Sequence, residues 1–137
     1  MAGVLVDSNV LLDVLTEDPH WFHWSSSTLK RCAERSVLLI NPLIYAEVSV
    51  RFRTIEELED ALPHSMFEWR QVPWEAAFLA AKCFLKYRQS GGLKSAPLPD
   101  FFIGAQAAVE RLDLLTRDAG RYRAYFPTVK LIAPDRQ

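Results

Sequence analysis

The sequence has little of several features that would assign it to a class at once. Its 137 residues carry a formal net charge of only −1, so it resembles neither a disordered chain nor a nucleic-acid binder that is basic throughout. Any affinity for a polyanion must therefore be local. Its two cysteines, Cys32 and Cys83, lie far apart without C-x-x-C spacing, and we expect both to be reduced thiols in the core.

Long apolar runs are also missing. No stretch approaches the roughly 18 residues of a membrane span, and the first residues lack a basic leader with a small-residue cleavage site. There is also no repeat, low-complexity segment or internal linker. We therefore expect a cytoplasmic protein with no membrane segment, folded as one domain over residues 1–137. This length can bury a continuous core without a disulfide or metal.

Short apolar runs that alternate with helical patterns are present instead. Apolar runs predict buried strands at 3–6, 37–40, 67–72, 112–115 and 128–132. Helices are predicted at about 10–17, 22–35, from 42 onward, at 55–61, at 74–89 and from 100 onward. This alternation predicts a three-layer α/β fold with a central, mostly parallel sheet of four or five strands. In such folds, ligands bind beyond the carboxyl ends of the strands, where strand order reverses.

Four carboxylates occupy positions from which they could reach that edge. Asp7 directly follows the first predicted strand, and Asp118 follows the strand predicted at 112–115. Asp100 begins a predicted helix, and Glu47 lies on the apolar helix that follows the second strand. We expect the four side chains to converge on one cleft.

Such a cluster requires a counter-charge. Two carboxylates about 4 Å apart repel by roughly 4 kcal/mol at an effective dielectric constant near 20, so four together either raise their pKa values or bind cations. Mg²⁺ and Mn²⁺ prefer oxygen ligands. The sequence therefore predicts a metal site made of acids alone.

These motifs, in this order, resemble the PIN-domain nucleases, specifically the VapC-type toxins of toxin–antitoxin pairs. The resemblance covers nearly the whole chain and includes Gly91-Gly92 ahead of the third acid. Its motifs are Asp7-Ser8-Asn9, Glu47, Pro99-Asp100 followed by Ile103-Gly104-Ala105-Gln106-Ala107, and Thr116-Arg117-Asp118.

The resemblance implies a PIN-like α/β/α domain that cleaves RNA endonucleolytically through metal-activated water. The implied site holds one or two Mg²⁺ or Mn²⁺ ions on Asp7, Glu47, Asp100 and Asp118, with Ser8 and Thr116 as polar neighbours. Glu56 or Glu57 could replace Glu47, but their neighbourhood resembles an exposed surface.

The resemblance also implies partners. A cognate antitoxin would dock a helix in an apolar groove, and the chain would form a homodimer. The cluster Trp21-Phe22-Trp24 either packs in the core or belongs to a surface covered by a partner. Lys94, Arg117 and Arg121 lie beside the proposed ligands in sequence and are expected to hold the RNA backbone, although charged residues are more often simply solvated.

Other interpretations remain open. Each acid could be only a helix cap, a turn residue or a surface charge, and the fold could be a catalytically silent interaction module. It could also be an RNA-processing nuclease without an antitoxin. Phosphatases of the haloacid dehalogenase type need a second Asp where this chain has Asn9, and no receiver-domain acidic pattern is present. His20 and His23 make a poor zinc site, because no Cys or third His is near.

Overall fold

The computed structural model describes residues 3–91 and 98–134, which form seven helices and five strands. In chain order these are β1 (Gly3–Val6), α1 (Ser8–Leu15), α2 (Phe22–Arg35), β2 (Val37–Ile40), α3 (Pro42–Ser49), α4 (Ile55–Ala61), β3 (Phe67–Trp69), α5 (Trp74–Gln89), α6 (Leu98–Glu110), β4 (Asp113–Leu115), α7 (Ala119–Arg123) and β5 (Leu131–Ile132).

The five strands form one sheet in the order β3-β2-β1-β4-β5, and every neighbouring pair is parallel. The chain first moves outward from β1 to β3 and then returns to β4, so strand order reverses between β1 and β4. Because parallel crossovers are right-handed, the two sets of connections run over opposite faces of the sheet. The predicted α/β/α fold with a mostly parallel sheet of four or five strands is confirmed, and the sheet has five strands, all parallel.

The core lies on both faces of the central strands. Every residue of β1 is buried, which explains why its sequence is an unbroken apolar run rather than an alternating one. Gly104 on α6 is also buried, and a Cβ at this position would overlap the ring of Phe126. A glycine is therefore needed where α6 meets the chain that follows α7.

Several helix boundaries follow from local signals. The capping box of Thr54 and Glu57 at the start of α4 is present in the structure. Gly91 has a positive φ of 81° just beyond α5, a conformation that glycine adopts at many helix ends. Within residues 3–91 and 98–134, no helix is long and apolar enough to cross a membrane.

Other boundaries differ from the prediction. α6 begins at Leu98, so Asp100 lies in its first turn and does not cap or open the helix. Pro99 accounts for the earlier start, since proline fits the first turn, where its missing N–H has no helical partner. The strands predicted at 67–72 and 128–132 are shorter, at Phe67–Trp69 and Leu131–Ile132.

The cysteines and the tryptophan cluster lie at the margin of the core. Cys32 and Cys83 are free thiols, as predicted, but each is only partly buried. Trp24 packs against the core. The ring of Trp21 contacts the ring of Trp24 edge-on, with 6.1 Å between the ring centroids. Phe22 is exposed. The cluster therefore lies partly against the core and partly on the surface.

Candidate active site

Asp7 lies where the sheet topology predicts a ligand site. It follows β1 directly, caps α1, and receives a 2.8 Å hydrogen bond from the backbone N–H of Ser8 on Oδ1. Its own N–H donates to the carbonyl of Leu115 at the end of β4, at 2.9 Å. Asp7 is therefore fixed at the point between β1 and β4 where strand order reverses.

The second oxygen of Asp7 is held by two hydroxyl groups. Oδ2 accepts hydrogen bonds from Thr116 Oγ1 and Tyr122 Oη, each at 2.9 Å. Burial raises the pKa of Asp7 to about 6, although these two hydrogen bonds oppose the increase. The nearby charge of Asp100 raises this pKa further. A buried carboxylate with these neighbours is stabilised by a nearby cation.

Glu47 joins the site through Ser8. The hydroxyl of Ser8 donates a 2.7 Å hydrogen bond to Glu47 Oε1, while its backbone N–H serves Asp7. One residue thus fixes two acids that are 40 positions apart in sequence. Glu57 is occupied instead in the exposed capping box of α4, so the contacts favour Glu47 over this alternative.

Asp100 and Asp118 are linked by Arg121. The guanidinium donates from Nη1 to Asp100 Oδ2 at 2.5 Å, and its Nε lies 3.0 Å from Asp118 Oδ2. Burial raises the pKa of Asp100, whereas its contacts with Arg121 oppose the increase. The side chain of Asp100 is 14% exposed, compared with 52% for Asp118.

The two pairs of acids are neighbours. Thr116 Oγ1 accepts a 3.0 Å hydrogen bond from the N–H of Asp118 while it donates to Asp7. The charges of Asp7, Asp100 and Glu47 all act on the buried Tyr122 hydroxyl, whose pKa is raised chiefly by burial. The structure therefore brings the predicted acids to one edge of the sheet.

The donor chemistry of this edge suits a hard divalent ion, because it offers carboxylate oxygens and one acid whose ionised form is poorly stabilised. The acids are nevertheless not gathered into a finished coordination shell. In the described ranges, no three His, Cys, Asp or Glu side chains are placed to hold an ion together. Arg121 takes the role of counter-charge to two of them.

The predicted substrate-binding residues lie in different settings. Arg121 is in the site, but the guanidinium of Arg117 makes a paired contact with buried Asp13, at 2.7 and 3.0 Å. It also lies over the ring of Trp21, 5.0 Å from its centroid. Lys94 lies outside the described residues. Of the three, only Arg121 is shown beside the acids.

Two residues help to hold this site in a role that was not predicted, although Asn9 belongs to the motif Asp7-Ser8-Asn9. Tyr122 lies four positions after Asp118 on α7, a helical spacing that sequence reasoning could have tested. Asn9 donates to Thr116 Oγ1 at 3.3 Å and accepts from the N–H of Arg117 at 3.2 Å. Its role could not be found without knowing that β1 and β4 are adjacent.

An aromatic cleft of about 300 Å³ opens beside Asp100 and Arg121. Its walls also include Phe101, Tyr125 and Phe126. Phe101 packs between the other two rings, with centroid distances of 5.7 and 6.2 Å. The cleft thus combines aromatic walls with one positive and one negative side chain at its edge.

Comparison with known proteins shows the family of the chain. A family model described as PIN domain matches residues 4–127. The chain belongs to the PIN domain family. Family membership supports nuclease activity, and so a hydrolase, and it confirms the family resemblance drawn from the four acidic motifs. A search of curated protein sequences gives no match.

Several solved structures resemble the chain over most of its length. One is VapBC2 from Rickettsia felis bound to a promoter DNA fragment, with 17% identity, a TM-score of 0.73, and coverage of 96% of this chain and 98% of that one. A toxin–antitoxin complex from Klebsiella pneumoniae has 20% identity and a TM-score of 0.72, with coverage of 98% of this chain and 100% of that one. FitAcB from Neisseria gonorrhoeae has 19% identity and a TM-score of 0.70, with coverage of 94% of this chain and 96% of that one. At these identities the likeness establishes the fold.

Proposed function

We propose that this PIN domain is a Mg²⁺- or Mn²⁺-dependent endoribonuclease that acts in the cytoplasm as the toxin of a VapBC-type pair. The observation that carries the proposal is the environment of Asp7. This carboxylate is buried at the switch point of the sheet, held by Ser8, Thr116 and Tyr122, and has a raised pKa. A buried carboxylate whose pKa is raised in this way is typical of a functional site, in addition to its role as the cap of α1.

Asp7 and Asp100, with Asp118 and Glu47, would hold one or two ions. When bound, the ion supplies an activated water for attack on phosphorus and offsets charge on the departing oxygen. The protein supplies the positioning. Ser8 holds Asp7 and Glu47 in place, and the hydroxyls of Thr116 and Tyr122 restrict Asp7 Oδ2 to one orientation.

The cleft beside Asp100 supports a single-stranded RNA substrate. Proteins bind single strands by stacking bases on aromatic rings beside a positive groove that follows the backbone. Phe101, Tyr125 and Phe126 line this cleft together with Arg121. A base in the cleft would bring its phosphate close to the acidic edge.

An antitoxin partner is supported by the structural neighbours, which include VapBC complexes, FitAcB and a toxin–antitoxin complex. The alternative is an RNA-processing nuclease that has no antitoxin. The neighbouring reading frame distinguishes the two. A short adjacent gene for a DNA-binding protein with a disordered tail supports the toxin role, and its absence supports the processing nuclease.

The homodimer implied by the family resemblance has a suitable surface on α5. An apolar stripe along this helix is spaced by four, three and four residues, which is the spacing of a coiled-coil interface. In an antiparallel pair of copies, Glu75 of one helix would lie beside Lys82 of the other. The stripe consists of Trp74, Phe78, Ala81 and Leu85, with the three large side chains 89%, 67% and 51% exposed.

The enzymatic proposal is tested with purified protein and a single-stranded RNA in Mn²⁺. We expect cleavage that stops when EDTA is added and that is abolished in Asp7→Asn. Asp60→Asn, which changes an exposed acid on α4, is the matched control and should cleave as the wild type does. Intact RNA with wild-type protein in Mn²⁺ would favour a silent interaction module of the same fold.

A further inference from the structure

Arg121 is the cation that the acidic edge already contains. It contacts Asp100 and Asp118 through different nitrogens, Nη1 and Nε, so one guanidinium serves both carboxylates. A guanidinium remains charged at any ordinary pH and pairs well with carboxylate oxygens. The repulsion between Asp100 and Asp118 is therefore reduced within the chain itself.

A divalent ion bound by these acids would compete with Arg121 for the same atoms. The guanidinium nitrogens contact Oδ2 of both Asp100 and Asp118, and carboxylate oxygens are the ligands that Mg²⁺ and Mn²⁺ select. An oxygen that faces a guanidinium at 2.5 Å cannot also accept an ion in the same direction, because two positive charges would then be in contact. Ion binding and this arginine pair therefore oppose each other.

The exposure of Asp100 and Arg121 indicates which of these two side chains moves. Asp100 is 14% exposed and lies on α6, whereas Arg121 is 54% exposed. A long exposed side chain changes rotamer at little cost, while a carboxylate that is only 14% exposed on a packed helix has less freedom to move. Arg121 is therefore the group that leaves.

We propose that Arg121 is a displaceable counter-ion, which neutralises Asp100 and Asp118 in the metal-free protein and yields both carboxylates to a divalent ion. This inference rests on the proposed metal site. It gives Arg121 an effect on metal affinity that a plain surface arginine would not have. It also means that Arg121 becomes free to contact RNA only after the ion binds.

Mn²⁺ binding to the metal-free protein, measured by calorimetry without RNA, tests the inference. We expect Arg121→Gln to bind Mn²⁺ about 3- to 10-fold more tightly than the wild type, equivalent to about 0.7–1.4 kcal/mol. Arg121→Lys retains a competing charge and should stay closer to the wild type. Arg123→Gln removes an exposed arginine from the same helix and is the matched control, with unchanged affinity.

Thermal unfolding in EDTA gives a second readout. Without its counter-ion, Arg121→Gln should unfold at a lower temperature than Arg123→Gln and gain more stability on adding Mn²⁺. Equal or weaker Mn²⁺ affinity in Arg121→Gln overturns the inference. If no variant binds Mn²⁺, the metal site is wrong and the inference is lost with it, whereas binding without RNA cleavage contradicts only the proposed enzyme.

Discussion

The hydroxyl of Tyr122 donates a 2.9 Å hydrogen bond to Oδ2 of Asp7, joining residues 115 positions apart. Tyr122 is buried on α7, and burial with the charge of Asp7 raises its pKa, so the phenol remains protonated and can only donate to this carboxylate. Asp7 is buried as well. The bond therefore fixes α7 to Asp7 in the candidate site and also stabilises the fold.

Replacing Tyr122 by phenylalanine should destabilise the protein. The change keeps the ring but removes one of the two hydroxyl donors to Asp7 Oδ2. Leaving a buried charged group short of a hydrogen bond costs about 1–3 kcal/mol. Urea denaturation at pH 7 in EDTA measures the loss. Tyr45→Phe, whose ring contact with Trp69 does not need the hydroxyl, is the control, and equal losses in both variants would contradict the role of the bond.

The pKa of Asp7 makes a pH-dependent contribution to stability. It is raised from 3.8 to about 6 in the folded protein, so between these values the folded state binds a proton that the unfolded state has lost. Stability from this group is therefore greatest at low pH and is lost as pH rises through about 6. At pH 7 the ionised form costs on the order of 3 kcal/mol.

Asp7→Asn removes this cost because the amide does not ionise. In EDTA we expect the variant to be more stable than the wild type at pH 7, by up to about 3 kcal/mol, with most of the difference lost by pH 4. Urea denaturation at both pH values measures it. Asp60→Asn should show no comparable change between the two pH values. A gain at pH 7 that persists at pH 4 would mean that burial of charge is not its cause.

The parts of the fold that sequence predicted best are those set by local chemistry. The runs at 3–6 and 37–40 match β1 and β2 residue for residue, because strands covered on both faces must be apolar throughout. The start of α6 was wrong by two residues, since Asp100 is a good cap by itself while Pro99 fits equally well inside the first turn. Competing local preferences of similar strength leave such boundaries undetermined.

For the candidate site too, some features could be predicted from the sequence and others could not. The positions of Asp7 and Asp118 at strand ends could be predicted, because parallel strands all end at one edge of the sheet. The partners could not. That Arg117 pairs with Asp13, and Arg121 with Asp100, depends on how α1, α6 and α7 pack, and such contacts over about 20 to 100 positions leave no local pattern.

The pairing of Arg117 with Asp13 predicts a structural role for this arginine. Asp13 is 3% exposed and is also held by the hydroxyl of Ser25 at 2.6 Å. Removing the arginine leaves a buried charge without its partner, which costs about 3–5 kcal/mol. We expect Arg117→Gln to show most of this loss in urea denaturation. The double variant Asp13→Asn/Arg117→Gln should recover much of it, and full stability of the single variant would favour a role in binding RNA instead.

Two glycines on helices allow a matched test of packing. Gly104→Ala places a methyl group against the ring of Phe126, and overpacking of this kind costs about 1–3 kcal/mol. Gly120→Ala on α7 meets no neighbouring atom within 4 Å and should stabilise by about 0.5–1 kcal/mol, because alanine favours helix. Thermal unfolding compares the two. Similar effects from both substitutions would contradict the close contact of α6 with Phe126.

The stripe on α5 predicts how copies of the chain associate. Phe78→Asp places a charge in the middle of the stripe and should convert the protein to a monomer in sedimentation experiments. Val50→Asp changes an 83% exposed apolar residue outside α5 and should leave the dimer intact. A wild-type protein that is monomeric in sedimentation experiments would contradict the proposed interface on α5.

Charge reversal on α5 then tests the antiparallel arrangement. Glu75→Lys should weaken the dimer about 10-fold, since two symmetry-related ion pairs become repulsive and each surface pair contributes up to about 1 kcal/mol. Adding Lys82→Glu restores opposite charges across an antiparallel interface and should recover the affinity. A parallel pair would place Glu75 and Lys82 beside different residues of the other copy, so adding Lys82→Glu would not restore the affinity that Glu75→Lys loses. Recovery in the double variant therefore depends on the direction of the helices as well as on the surface that they use.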